Sequence, residues 1–389
     1  MSDQPNVTLV CPDLSTNCLG RTLLLAELTE PRFRPQIVGL RLGSKIWSPA
    51  VGSRIPIREL ALRSVAGWPA AVRWFRRVAK DTRVVVTKPL ATSLGLALSS
   101  GVRPPETLMD NDDWEFGLRR THGPRTPLAK AAELFDPKAF NGLASTALLE
   151  HSLVSYDHRT VSNTWLQQRF GGVVLPHVRD TSWLDPSKLD RAALRARFGL
   201  GDKQWVGFIG TPRSHKGTDE LVEAARLAGP SVGVFIAGLD VNDKYAAEFL
   251  KNAKRRLGED RLSVHGPFPF SELPTWVAAP DIVALPSRDE PGAWGQIPAK
   301  LFDAMAMAKP IVVTEVNDMG KILGDAGLRV PPGDVQALAT ALKRLTESPD
   351  LGNRLGEAAR ELAVRNYSYE AGRRTLNGLL EKVATFRAR

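Results

Sequence analysis

The 389-residue chain predicts an α/β protein made of two doubly wound, Rossmann-like domains. Three observations carry this expectation. Short apolar runs alternate with stretches of helical periodicity along the chain, the rhythm of strand–helix units with parallel sheets. The length exceeds what one core usually serves. A polar stretch from Pro176 to Lys203, with Pro186 and the helical segment Leu189–Phe198, separates two sets of strand candidates.

The first set is Val7–Cys11, Gln36–Leu40, Arg83–Thr87, Glu106–Met109, Leu153–Tyr156 and Gly172–Leu175. The second is Val206–Ile209, Val232–Ala237, Leu262–Val264, Ile282–Leu285, Ile311–Thr314 and Leu328–Val330. Domains are expected at 1–182 and 183–368. A C-terminal helix over 369–389, with Leu376, Leu379, Leu380 and Val383 at helical spacing, would cross back to the first domain. No internal repeat of 20–50 residues is evident.

Hydrophobic residues make up 43% of the chain and the net charge is +10. That balance suits phosphorylated substrates, an anionic membrane surface or nucleic acid. No nucleic-acid-binding motif accompanies it, so nucleic acid is the least supported partner. Cys11 and Cys18 are the only cysteines. Two cannot staple a chain of this size, and no second pair completes a zinc site, so a reducing, cytoplasmic setting is expected. There is no basic-then-apolar leader and no run of 18 apolar residues, which argues against a membrane span. No Gly-x-Gly-x-x-Gly follows the first strand, which disfavours a dinucleotide oxidoreductase.

Three segments carry chemistry. Gly210-Thr211-Pro212-Arg213-Ser214-His215-Lys216-Gly217 follows a strand and opens a helix, a natural seat for phosphates. Leu285-Pro286-Ser287-Arg288-Asp289-Glu290 ends a strand in an acidic loop. Pro298 to Ala306 is then a helix carrying Lys300 and Asp303 one turn apart. Ligands of open parallel sheets collect at the carboxyl ends of strands. Carboxylates for hydroxyls beside cations for a diphosphate suggest a nucleotide-sugar site.

The chain here resembles a GT-B glycosyltransferase, and more narrowly the retaining family 4 group, most clearly over 150–370. The resemblance rests on Val161-Ser162-Asn163, Pro176-His177, Lys216-Gly217, His265-Gly266-Pro267-Phe268, Leu285-Pro286-Ser287, the Lys300-to-Ala306 helix, Asp325-Ala326-Gly327 and Pro332-Gly333-Asp334, in that order. It implies two domains facing across a cleft, a nucleoside-diphosphate sugar as donor, and no metal cofactor. By the same resemblance, Lys216 neutralises the diphosphate and Arg213 assists. The usual arginine lies five residues before the lysine, where this chain has Thr211, so Arg213 is a displaced substitute. Glu290 positions sugar hydroxyls, with Asp289 as the alternative occupant, and Asp303 takes the ribose. These two carboxylates stand thirteen apart, five more than usual, and the insertion includes Trp294 and Gly295. Lys300 either pairs with Asp303 or touches phosphate. Gly210, Gly266 and Pro267 line the nucleotide, and Gly20 lets the backbone approach the donor sugar.

The family often has a histidine near the end of the fourth strand candidate. Here that stretch reads Asp110-Asn111-Asp112-Asp113, and the nearest histidine is His122. Asp110, Asp112 and Asp113 either orient an acceptor hydroxyl, bind a divalent metal, or merely enrich a helix N-terminus in acids. Trp68–Lys80 interleaves Trp74 and Phe75 with Arg73, Arg76, Arg77 and Lys80. It is either a surface helix that meets lipid headgroups at the inner face of the membrane, giving access to lipid-linked or glycan acceptors, or an amphipathic helix packed on the first sheet. The expected activity is retaining transfer of a sugar to a hydroxyl, in cell-surface polysaccharide or lipid-linked glycan synthesis. The rivals are natural-product glycosylation, an epimerase or phosphorylase of the same fold, and a silent sugar-nucleotide-binding scaffold.

Overall fold

The computed structural model describes residues 4–122 and 140–387. The chain forms two compact units: Met1–His177 together with Glu370–Arg389, and Val178–Tyr369.

The first unit holds β1 (Asn6–Cys11), β2 (Arg34–Arg41), β3 (Ile57–Ala61), β4 (Arg83–Thr87), β5 (Thr107–Asn111), β6 (Arg159–Val161) and β7 (Val173–Val174). They form one sheet in the order β3-β2-β1-β4-β5-β6-β7, and every pairing is parallel. The segment after Tyr369 packs on this unit. Leu376, Leu380, Val383 and Phe386 are buried, and Phe386 bridges to Thr82.

The second unit holds β8 (Gln204–Ile209), β9 (Val232–Ala237), β10 (Leu262–His265), β11 (Ile282–Leu285), β12 (Ile311–Thr314) and β13 (Leu328–Val330), again all parallel, in the order β10-β9-β8-β11-β12-β13. Alternate strand residues feed opposite cores. Val206, Phe208, Ile236 and Ala284 face one, while Trp205, Ile209, Phe235 and Leu285 face the other. A sheet covered on both faces needs such unbroken apolar runs, which is why β8, β9 and β11 contain no charged residue. Helices begin where side chains satisfy their first amides: Asn163 caps Leu166, Asp190 caps Ala192 and Ala193, Asp243 caps Ala246, and Asp334 caps Ala337.

Two expectations change. Leu153–Tyr156 is not a strand: Leu153–Ser155 is a 3-10 turn, and the sixth strand lies at Arg159–Val161. The edge strand Ile57–Ala61 has no counterpart in the expected list.

In each sheet the first strand lies between its second and fourth, so the loops after β1 and β4, and after β8 and β11, diverge at a topological switch point. Open α/β sheets bind ligands at that place.

Candidate nucleotide-sugar site

In the second unit the switch point is built by close backbone packing. Gly210 ends β8 with φ +125°, and a Cβ on Gly238, the residue after β9, would lie 3.1 Å from Gly210 Cα. Gly217 adopts φ +66°, and a side chain there would collide with the carbonyl of Pro286 after β11. The Arg288 amide donates to His215 O (2.9 Å), and its guanidinium grips Glu220 through Nε (2.5 Å) and Nη2 (3.1 Å). The loops after β8 and β11 are thus tied to each other before any ligand arrives.

Two lysines converge here. Lys216 Nζ donates to Thr211 O at 2.9 Å. Burial, with the charge of Arg213 behind it, pushes its pKa down to about 8. Lys300 Nζ is buried without any hydrogen-bond partner and lies 3.7 Å from the ring centre of Phe208. Burial pulls Lys300 well below the ordinary lysine value, the charge of Lys216 adds to this, and Asp303 opposes it. A buried cation without a counter-ion is costly unless something anionic visits it.

The other expected residues fall around this pair with different engagements. The Asp303 carboxylate is 8% exposed and ion-pairs with Arg179. Glu290 precedes the short helix Pro291–Trp294, and its Oε1 is buried without a partner. Trp294 Nε1 donates to Asp289 Oδ1 (2.6 Å), so Asp289 is occupied within the inserted loop. Asn317, in the loop after β12, braces that insertion through Ala293 O and Gln296 O, and Gly295 is buried within it. Arg213 turns to Asp243, 2.6 Å away, with its side chain 41% exposed. It acts on Lys216 through charge, without a hydrogen bond to it. Gly266 and Pro267 are exposed after β10, and nothing approaches within 4 Å of a Cβ at Gly266. His265 is packed among Phe198, Phe235 and Trp276, which gives its ring a structural place.

In the first unit Gly20 lies inside the helix Cys18–Thr29, where a Cβ would make ordinary 3.5 Å contact with the Trp47 ring. The Asp110 carboxylate is fully buried and accepts from Arg21 (2.7 and 3.0 Å) and Thr160 (2.7 Å). That engagement makes it an internal brace of β5. Asp112 and Asp113 surround Lys88 together with Glu115, at 3.1 Å for Asp112 and 2.7 Å for Glu115. Lys88 therefore occupies the place a bound cation would take, and among the described residues no group has the donor set of a metal site. Burial would lower the Lys88 pKa, but Asp112, Asp113 and Glu115 outweigh it and hold it well above the usual value. Asp113 shows the converse. Burial, added to the like charges of Asp112 and Glu115, outweighs Lys88 and raises it to about 7. The side chain of His122 lies outside the described residues.

The segment Trp68–Lys80 is an amphipathic helix packed on the first unit. It is the helix Trp68–Ala79, with Ala71, Phe75 and Ala79 buried. Trp68, Val72, Trp74 and Val78 pack on the same core, and Trp68 stacks on Phe140 at 4.6 Å. Its apolar face is spent on the first unit, leaving Arg73, Arg76, Arg77 and Lys80 outward. An anionic surface would meet cations here and no aromatic wedge. No helix among the described residues is long and apolar enough to cross a membrane.

Sequence reasoning missed Arg179 and Lys88, both identified only by carboxylates folded against them. Thr87-Lys88-Pro89 at the end of a strand gave one signal, since the carboxyl ends of strands are where function collects.

Residues 203–348 match the family described as glycosyl transferases group 1. The α-D-kanosaminyltransferase of Streptomyces kanamyceticus is 30% identical over 198 residues, covering 50% of this chain and 49% of the relative. The GDP-mannose-dependent α-(1-6)-phosphatidylinositol monomannoside mannosyltransferase of Mycolicibacterium smegmatis is 28% identical over 207 residues, covering 50% and 52%. The chain thus spans about half the length of the curated relatives it matches. Among solved structures, HepE of Anabaena in complex with UDP and glucose aligns over 97% of this chain and 99% of its own, with a TM-score of 0.74 at 17% identity. The chain therefore has the GT-B fold of that structure, and within its second unit residues 203–348 are the part similar to glycosyl transferases group 1.

Proposed function

We propose that the protein transfers a sugar from a nucleoside-diphosphate sugar to a hydroxyl acceptor with retention of configuration. The observation that carries this reading is the Lys216–Lys300 pair at the switch point, where Lys300 Nζ is buried with no hydrogen-bond partner. A diphosphate supplies the missing anion. Negative charge that builds on it as the glycosidic bond breaks is met by cations already in place, which lowers the barrier without reorganisation. Lys216, Lys300 and Arg213 do this work in place of a metal ion. Glu290, with one oxygen unengaged, positions sugar hydroxyls, and Asp303 takes the ribose. Gly20, Gly210, Gly266, Pro267, Trp294 and Gly295 shape the donor's surroundings. In the first unit Asp112 and Asp113 face the acceptor, with Asp110 holding their strand.

The pathway reading is synthesis of a cell-surface polysaccharide or lipid-linked glycan at the cytoplasmic face of the membrane. The outward cations of Trp68–Lys80 and the phosphatidylinositol mannoside enzyme among the relatives support it. Natural-product glycosylation is the second reading, favoured by the 30% identity to a kanosaminyltransferase.

The test is a thermal-shift panel of nucleoside diphosphates and their sugars on the native protein and Lys216→Ala, followed by product analysis with EDTA present. A selective shift lost in the variant, and an α- or β-linkage matching the donor's, support the reading. No shift across the panel would leave a scaffold with some other ligand.

A further inference from the structure

We propose that Arg179 is a positioning residue that sets Asp303 to read the paired hydroxyls of a ribose, an inference that rests on the nucleotide-sugar reading above. Arg179 and Asp303 are 124 residues apart in sequence and meet through Arg179 Nε and Asp303 Oδ1. Among the described residues no other group donates to this carboxylate, so Oδ2 keeps its lone pairs for a ligand.

The arginine is itself held on a rigid base. Its amide donates to Tyr367 O (2.8 Å), its carbonyl accepts from the Tyr369 amide (2.9 Å), and Nη1 donates to Val178 O (3.1 Å). The Arg179 backbone therefore runs as a short parallel ladder beside Ser368. A guanidinium fixed in this way directs Nε at one carboxylate oxygen while Nη1 anchors on Val178 O, two directed donors that the point charge of a lysine does not reproduce.

The pairing also settles a competition. Lys300 lies one turn before Asp303 on the same helix, and its ammonium has no partner. Residues three apart on a helix are neighbours, so an unrestrained Asp303 would turn to Lys300 and quench both. Arg179 draws the carboxylate away. It thereby keeps Lys300 available to phosphate and Asp303 Oδ2 available to a vicinal diol. Aspartate is one methylene shorter than the glutamate expected there, so its carboxylate has less reach of its own and depends more on being aimed.

The experiment is calorimetric binding of UDP, GDP and ADP, each beside its 2′-deoxy counterpart, to wild type, Arg179→Gln, Arg179→Lys and Asp303→Ala. The readout is the ratio of ribo to 2′-deoxy affinity, in which any change in diphosphate binding cancels. A hydrogen bond to a charged group predicts a wild-type ratio of roughly ten to a hundred. Asp303→Ala should bring the ratio to about one, Arg179→Gln close to it, and Arg179→Lys to an intermediate value. An Arg179→Gln protein that binds nucleotide with the wild-type ratio would overturn the inference and leave the nucleotide-sugar reading intact. A wild-type ratio of one would do the same. Binding of none of the six nucleotides by wild type would overturn both. If Arg179→Gln fails to fold, Arg179→Lys decides alone: a ratio equal to wild type counts against the proposal.

Discussion

Lys300 Nζ occupies the space that a side chain at Gly210 would need: a Cβ there would lie 3.0 Å from it. The ammonium is thus enclosed by the aromatic ring of Phe208 and a residue that has no side chain to offer. An unpaired buried charge destabilises the fold, so the protein keeps it at a cost.

Replacing that charge with an apolar side chain of similar length should therefore stabilise the empty protein. Lys300→Met is expected to gain about 1–3 kcal/mol at pH 7, read as a rise of several degrees in melting temperature. The sign follows from linkage. The folded-state pKa of Lys300 lies well below its unfolded value, so the unfolded chain binds more protons between them. The native lysine is then most costly below its folded pKa, and the cost fades as the pH approaches the ordinary lysine value of about 10.5. The gap between variant and wild type should close over the same range. The same variant should give a smaller thermal shift with UDP-type ligands, since Lys216 alone then meets the diphosphate. A variant that is less stable at every pH would show that Lys300 has a partner in the free protein.

The carboxylate cage of the first unit makes the opposite prediction. Lys88 is 4% exposed and serves Asp112, Asp113 and Glu115 at once. Lys88→Met should cost about 3–5 kcal/mol at neutral pH, because the buried Asp112 and Glu115 and the half-buried Asp113 lose their shared cation. Urea denaturation at pH 7 and pH 5 checks this. In wild type, Asp113 holds its proton up to about pH 7, above its unfolded value, so its contribution favours the fold at low pH and is lost as pH rises through that range. In the variant the dependence should steepen, since all three acids then prefer to be protonated. A loss below 1 kcal/mol at pH 7 would mean that water screens the cage.

These two sites differ in how far the sequence discloses them. Lys216 stands on a strand–loop–helix that the sequence offers as a seat for phosphates, and Lys300 on a loop–helix where phosphate is one of its two expected partners. The strands around them are equally legible: Val232–Ala237, Ile282–Leu285 and Ile311–Thr314 keep their expected limits, because strands buried on both faces read as unbroken apolar runs. At the sheet edge this signal fails. Ile57–Ala61 carries Arg58 and Glu59 outward and none of its residues is buried, so no apolar run marks it. Leu153–Tyr156 has the apolar residues of a strand, but its first three form a tight turn that buries only Leu153 of them. The roles of Lys88 and Arg179 are illegible for a different reason. Each is defined by a carboxylate remote in sequence, at separations of 25 and 124 residues, and no local spacing encodes such a meeting.

The pH dependence of nucleotide binding is the remaining expectation. A diphosphate seated between Lys216 and Lys300 favours their charged forms, and both lysines have pKa values lowered by burial in the free protein. Binding must then take up protons. Affinity for UDP, or whichever diphosphate the panel selects, should be greatest below pH 8, where Lys216 is still charged. It should fall by up to about tenfold per pH unit above that for each proton taken up. The phosphate itself titrates near pH 6, so measurements from pH 7.5 to 9.5 isolate the lysines. Calorimetry in Tris and in Bicine, whose ionisation heats differ, counts the protons directly. Lys300→Met should reduce the uptake, and Lys216→Arg, whose guanidinium stays charged throughout, should flatten the profile. Affinity that is constant from pH 7.5 to 9.5 would mean that the anion sits away from both ammoniums, and the phosphate seat would have to be sought elsewhere in the second unit.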